Sequence, residues 1–441
     1  MWEKRFGNNS ILDMRNRKVF RNERGKGGNM KFCKVLIGFL FVALIMMGAQ
    51  SALASTTADS SVDASSDEYT TATGQTTTVI KAALNANPTA TVAQLAKITD
   101  NSGTSGSAVG SAAAANVGGS VVSNLTARID DNLSTMMAVY KQRKERMAAR
   151  SMSQPAGPAG SGAAVGVNKI QKVWGRYSAS FGEQDQISSM EGYDFVAHGP
   201  LFGYDRFVTD RLLIGGTLGY TRTDVDADGG GETDVNSYTF GVYGSYIFTD
   251  VDYLNVALAY TLGDINSDNT ITGYGSLSGD TDSNTWLFAG EYGHKFLLKN
   301  TFILTPVVGF TVNMVDVDGY TAKGTNNYGD ETYADKRSVF FSTRMGVKGD
   351  WLFSSAGTLK VKAMWLHEYS DDLASVTEVK YEGQTSFVEV KGIDPGRDKG
   401  LFGLGVKYAF QNGMVLDIDG DFTVGEEYKA WGAAGRLEYP F

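Results

Sequence analysis

From Asn168 to the end of the chain, apolar and polar positions alternate with a period of two. Leu254, Val256, Leu258, Tyr260 and Leu262 share one face, and Asn255, Ala257, Ala259 and Thr261 the other. Trp431, Ala433, Gly435, Leu437, Tyr439 and Phe441 alternate with Gly432, Ala434, Arg436, Glu438 and Pro440, and Met414, Leu416, Ile418 and Phe422 with Asp417, Asp419 and Asp421. Alternation of this kind marks β-strands with one apolar and one polar face. Twelve such segments begin near Lys172, Tyr193, Leu212, Val235, Tyr253, Asn284, Phe302, Arg337, Leu359, Gly400, Gly413 and Tyr428.

Alternation also suits a soluble sandwich, and three further features point to a barrel in a membrane. The segment number is even. The links alternate in length: tight around Val208-Thr209-Asp210, Thr249-Asp250-Val251-Asp252, Leu298-Lys299-Asn300 and Gln411-Asn412, long and polar at Asp264–Ser283, Val315–Lys336 and Ser370–Lys399. Short turns on one rim and long loops on the other are typical of outer-membrane barrels. Tyr and Trp gather near segment ends, as interfacial girdles do. Hydrocarbon leaves no backbone polar group a water partner, so a strand-rich spanning chain closes on itself. The expected fold is all-β: a transmembrane antiparallel β-barrel of about 12 strands over residues 168–441.

Upstream the pattern changes. Leu125, Ile129, Leu133, Met136, Met137 and Tyr140 recur at three- and four-residue spacing, which predicts an amphipathic helix over residues 125–150. Lys141, Arg143, Lys144, Arg146 and Arg150 give it a basic end, as suits a helix C-terminus. Residues 151–167 are a Pro/Gly/Ala linker. Residues 55–124 are rich in Ser, Thr, Ala and Gly. Within them Val79-Ile80-Ala82-Ala83-Leu84 and Val92-Leu95-Ala96-Ile98 read as short helices around an Asn85-Ala86-Asn87-Pro88 turn, too small to fold alone. Met30 to Lys34 is a basic start, Val35 to Met47 an apolar core and Ala52-Leu53-Ala54 a small-x-small site, so residues 30–54 read as a signal peptide cleaved before Ser55. A membrane anchor is the alternative. Lys26-Gly27-Gly28 can be encoded by a ribosome-binding sequence just before the Met30 codon, so residues 1–29 are expected to be mis-translated leader. A peptide from residues 1–29 detected in cells would overturn that reading.

Composition narrows the function. Net charge is −9, with only short basic stretches, which argues against a nucleic-acid surface. The single cysteine, Cys33, lies in the leader, which excludes a disulfide scaffold or thiolate metal site in the mature chain. All but Tyr69 and Tyr140 of the 21 tyrosines, and all but Trp2 of the 6 tryptophans, fall in the alternating region. Asp224-Val225-Asp226-Ala227-Asp228-Gly229 copies the start of a calcium loop, but Val235 stands where its last ligand, a Glu, belongs. It reads instead as an acidic hairpin tip. His198, His294 and His367 lie on separate strands. No P-loop is present. The pattern calls for no catalytic group, no cofactor and no metal.

Several motifs together resemble the translocator domain of autotransporters, the type V secretion family. They are Lys172-Val173-Trp174-Gly175-Arg176-Tyr177, Gly203-Tyr204-Asp205, Leu213-Ile214-Gly215-Gly216-Thr217-Leu218-Gly219-Tyr220, Trp365-Leu366-His367-Glu368-Tyr369 with Asp371, Arg397-Asp398, Leu404-Gly405-Val406 and the final aromatic. Leu437, Tyr439 and Phe441 resemble the barrel-assembly signal of Gram-negative outer-membrane proteins, with Pro440 a departure. The resemblance implies a helix threaded through the pore and export of an upstream passenger, here the short segment 55–124, to the cell surface. It also implies outer-membrane lipid, the Sec translocon and the barrel-assembly machinery as partners, and a monomeric barrel. The basic end of the helix is expected to face the lumenal acids Asp417, Asp419, Asp421 and Glu438. A plain outer-membrane channel or adhesin with a periplasmic N-terminal extension is the alternative.

Overall fold

The computed structural model describes residues 77–87, 89–90, 94, 97–99, 125, 128–129, 171–187, 192–299, 301–370, 376–392 and 396–441. The leader with Ala52, Ala54 and Ser55, the basic helix end Lys141, Arg143, Lys144, Arg146 and Arg150, and the linker 151–167 lie outside the described residues.

In chain order, α1 (Thr77–Ala86) precedes β1 (Gln171–Gln184), β2 (Tyr193–Phe207), β3 (Leu212–Ala227), β4 (Gly231–Ile247), β5 (Asp252–Ile271), β6 (Gly275–His294), β7 (Phe296–Lys299) and β8 (Phe302–Val317). Then come β9 (Tyr320–Gly324), β10 (Glu331–Tyr333), β11 (Lys336–Leu352), β12 (Gly357–Glu368), β13 (Thr377–Tyr381), β14 (Val388–Val390), β15 (Asp398–Ala409), β16 (Val415–Gly425) and β17 (Tyr428–Pro440). Twelve of these form one antiparallel cylinder: β1 to β6, β8, β11, β12 and β15 to β17. Neighbours in the chain pair throughout, and the seam joins first to last, from Lys172↔Pro440 to Gln184↔Tyr428. Phe441 extends that seam by donating its backbone N–H to the Gln171 carbonyl at 2.9 Å. No strand edge in the cylinder is left open, the condition for β structure in hydrocarbon.

The distribution of side chains is inverted relative to a water-soluble protein. Phe202, Leu218, Val242, Leu258, Phe288, Val308, Leu404 and Ile418 point outward and are exposed, whereas Thr217, Thr239, Asn255, Glu291, Asp417 and Arg436 face inward and are buried. An apolar exterior of this extent is a surface built for lipid. Aromatic pairs mark its two borders. On the long-loop side, Tyr220–Tyr238, Tyr260–Trp286 and Phe422–Trp431 have ring centroids 5.4, 4.7 and 5.5 Å apart. On the short-turn side, Tyr246–Phe248 and Tyr408–Phe410 are 5.1 and 5.2 Å apart. Along β4 the eight residue steps from Tyr238 to Tyr246 span ~27 Å of strand, which a tilt of ~40° projects to ~21 Å. The ten steps from Phe341 to Trp351 give ~26 Å by the same reckoning. Both suit the hydrophobic band of an outer-membrane barrel.

Two expectations about strand limits change. β4 starts at Gly231, ahead of Val235, and β6 at Gly275, well ahead of Asn284. The stretch Asp264–Ser283, expected as a long loop, is a hairpin that prolongs β5 to Ile271 and starts β6 at Gly275, each strand being 20 residues long in all. Its exposed Asp264, Asn266, Asp268 and Thr270 alternate with buried Ile265, Ser267, Asn269 and Ile271, so the outward face turns polar where the strands leave lipid for water. The turn closes on Tyr274 N–H to Ile271 C=O, 3.0 Å, with Gly273 at φ 76°, a left-handed position that suits glycine. The two other long connections carry the short strands β9, β10, β13 and β14. β9 pairs with the projecting part of β6 (Leu277↔Gly324), β10 with β9 and β13, and β14 with β13.

α1 lies against this extension. Its Val79, Ile80 and Ala83, together with Ile98, are buried among Tyr274, Leu277, Tyr328, Tyr333, Val379 and Val390. The helix ends as its sequence dictates: Asn87 donates its backbone N–H and its side-chain Nδ2 to the Ala83 carbonyl at 2.9 and 3.1 Å, and Pro88 follows.

The barrel lumen as candidate functional site

Leu125, Arg128 and Ile129, the described residues of the expected pore helix, are all buried inside the barrel. Leu125 and Ile129 pack with Trp174, Leu201, Tyr243, Ala257 and Leu287. Small residues on the inner faces of β5 and β6 (Ala257, Ala259, Ala289) leave space for them.

Arg128 sits on the same helical face, between the two apolar residues, and its charge is met from two strands. Nε donates to Asp205 Oδ2 at 2.7 Å, and Nη1 binds Glu438 Oε2. Glu438 also holds Lys172 at 2.6 Å. Behind Asp205, Tyr243 donates its hydroxyl to Oδ2 at 2.8 Å, and Trp174 donates its indole N–H to the Tyr243 oxygen at 2.9 Å. The guanidinium also lies 5.6 Å from the Trp174 ring centroid, within cation–π range. Trp174 reaches this place only because its cross-strand partner is Gly203, where a Cβ would stand 2.4 Å from the indole. Trp174, Asp205, Tyr243 and Glu438 lie no more than four residues from the short-turn ends of β1, β2, β4 and β17. Arg128 is therefore clamped near one mouth, while α1 packs at the other.

The four acids singled out in the sequence have barrel-wall partners. Asp417 takes Lys360 and Arg436, each at 2.6 Å; Asp419 takes Arg176 in a two-pronged contact at 2.8 and 3.1 Å; Asp421 takes Lys362 at 2.8 Å. Glu438 joins Lys172 and Arg128. On the opposite wall Glu291 binds Lys348 at 2.6 Å. Buried charges need such partners, because an isolated one is costly to desolvate. Arg128 was absent from the sequence reading. Its signal was there: it lies three residues after Leu125 and one before Ile129, a single cation on an apolar stripe.

Leu437, Tyr439 and Phe441 point outward at the short-turn rim, and Phe441 lies 6.3 Å from Tyr204, centroid to centroid. His198 is paired with Tyr177 at 2.9 Å, His294 with Asp252 at 2.6 Å and His367 with Asp398 at 2.8 Å, on β2, β6 and β12, strands that are not neighbours. Among the described residues no three His, Cys, Asp or Glu side chains are grouped to hold a metal ion. Asp224 and Asp234 share Arg222 at 2.7 and 3.0 Å on the outer surface. Beyond the membrane, the Tyr333 hydroxyl is pushed well above its usual range by burial and by Glu331, to which it donates at 2.6 Å. The Asp330 carboxyl is held below the usual range by Lys323 at 2.7 Å and the Gly324 N–H at 2.9 Å.

A family model described as "Autotransporter beta-domain" matches residues 173–421. Outer membrane protein B of Rickettsia japonica is 23% identical over 290 residues, covering 63% of this chain and 17% of that protein. Outer membrane protein B of Rickettsia prowazekii is 27% identical over 178 residues, covering 37% and 10%. The chain thus spans less than a fifth of the length of these relatives. Among solved structures, the translocator domain of the autotransporter NalP from Neisseria meningitidis superposes with a TM-score of 0.52 over 70% of this chain and 97% of that one, at 12% identity, which shows a shared fold.

Proposed function

Since the chain belongs to the autotransporter β-domain family, we propose that its barrel, in the outer membrane of a Gram-negative bacterium, carries the chain's own N-terminal segment to the cell surface. The observation that carries this reading is where the described residues of that segment sit. Leu125, Arg128 and Ile129 are seated inside the barrel near the short-turn rim, and α1 packs against the long-loop extension at the opposite mouth. Short turns face the periplasm and long loops the exterior in barrels of this kind. With α1 at the long-loop mouth and Arg128 near the short-turn mouth, the upstream end lies outside.

The wall suits a polypeptide cargo. Its inner face offers hydroxyls, amides and paired charges to a passing backbone, and the acids of β16 are already matched by wall cations. The Arg128 seat then fixes the last stretch in place. In this reading the work is transport, the substrate is the chain itself, and no side chain acts as a catalyst. Delivery by the Sec translocon, insertion by the barrel-assembly machinery and a monomeric barrel complete the proposal.

Protease treatment of intact cells carrying an epitope at residue 60 tests it. Loss of the epitope is the expected result. Protection in intact cells, with cleavage only after lysis, would leave the upstream segment in the periplasm and favour a plain channel.

A further inference from the structure

The long-loop strands do more than lengthen the barrel. β9, β10, β13 and β14 extend the edge of β6 into a small sheet whose inner face is apolar: Leu277, Tyr333, Val379 and Val390 are all nearly or fully buried. What buries them includes α1, and the fit is not only apolar. Asn87, almost fully buried itself, uses every polar atom of its side chain there. Nδ2 donates to the Ala83 carbonyl, and Oδ1 accepts from the Tyr274 hydroxyl at 3.2 Å and from the Gly329 N–H at 3.1 Å. Tyr274 belongs to the β5–β6 turn and Gly329 to the β9–β10 turn, so one side chain ties the helix to two separate hairpins. Gly329 is also close against α1, since a Cβ there would lie 3.3 Å from the Ala86 carbonyl. Tyr274 and Tyr328 pack edge to face beside it, centroids 6.2 Å apart.

We propose that this outer sheet is a docking platform for the chain's own segment 77–99, which after export folds back on the barrel mouth as a cap latched by Asn87. The inference rests on the export reading for which side of the membrane the platform faces. It adds that the exported segment stays seated on its own translocator. An amphipathic helix of this length is marginal alone, and the platform supplies the apolar surface it lacks. Folding there also opposes the segment's return through the pore, because sliding back requires leaving the platform first.

The test uses the chain's lack of cysteine outside the leader. Val79→Cys places a thiol at a buried position of α1 and Lys81→Cys at an exposed one. Intact cells are treated with a membrane-impermeant maleimide. Rapid labelling of Lys81→Cys, with Val79→Cys slower by roughly tenfold or more, is the expected result, since a packed helix must open locally before its buried face reacts. Adding Val379→Asp or Asn87→Ala should bring the two rates together, while the barrel keeps its heat-resistant mobility in detergent gels. Equal rapid labelling of both positions in the otherwise unaltered chain overturns the cap and leaves export standing. Labelling of Lys81→Cys only after lysis overturns export, and the surface cap with it.

Discussion

Arg128→Met removes the one cation that the pore segment offers to the barrel wall among the described residues, and the structure sets the size of the effect. Glu438 keeps Lys172 at 2.6 Å, so it is not stranded. Asp205 keeps the Tyr243 hydroxyl at 2.8 Å but loses the Arg128 guanidinium, 2.7 Å away, in a fully buried setting. Breaking a buried pair from one side costs about 3–5 kcal/mol, because the remaining charge stays buried. At about 1.4 kcal/mol per factor of ten, the ratio of seated to unseated pore segment falls by roughly 10²–10⁴. Hydrogen exchange of the peptide spanning residues 125–129, in the full chain in detergent or lipid, reads that ratio directly. Exchange should accelerate by the same factor, and adding Asp205→Asn should recover part of the protection by removing the buried carboxylate that Arg128 matched. Raising salt from 0.1 to 1 M should change the unaltered protein little, since ions do not screen a pair that solvent does not reach. Exchange in Arg128→Met within about threefold of the unaltered chain would refute the seat as an electrostatic clamp, because it corresponds to under ~1 kcal/mol.

Three further outcomes follow from the same geometry. Gly203→Ala drives a methyl to within 2.4 Å of the Trp174 indole, and overpacking of this kind costs about 1–3 kcal/mol; the temperature at which the barrel loses its folded mobility in detergent gels should fall, and an unchanged temperature counts against the contact. Leu258→Lys, outward at mid-membrane, should lower barrel stability by about 2–4 kcal/mol, whereas Leu298→Lys, at the short-turn rim, should cost ~0–1 kcal/mol; equal costs in a urea titration would deny the lipid-facing assignment. Removing Phe441 deletes the seam bond to Gln171 and the contact with Tyr204, and should reduce the fraction of chain assembled in outer-membrane preparations; undiminished assembly refutes a role for the terminal aromatic.

All twelve membrane strands were legible because lipid on one side and packed polar groups on the other force a strict two-residue period. Legibility ended where that asymmetry does. The outer halves of β5 and β6 are polar on the exposed face, so Asn266 and Asp268 read as loop although their backbones are paired as fully as those of Val256 or Leu258. β10 and β14 are three residues long, too short for any period to show. Among side chains, the acids of β16 and β17 stood out by alternating with apolar neighbours, but their partners, Lys360 on β12 and Arg176 on β1, are distant in the chain and follow only from the register. α1 could be read as a helix; its platform, assembled from three connections, could not.

The seam has a consequence in time. β1 and β17 are the two ends of the ribbon, and Arg176 meets Asp419 across 243 residues of sequence. Until β17 is made and delivered, both margins of the sheet stay bare, inviting any neighbouring chain to pair with them. Closure has to wait for β17, and the slow search that such distant partners impose falls on a ribbon whose margins are still unpaired. Those margins are covered only once β17 lies along β1 and Phe441 meets Gln171.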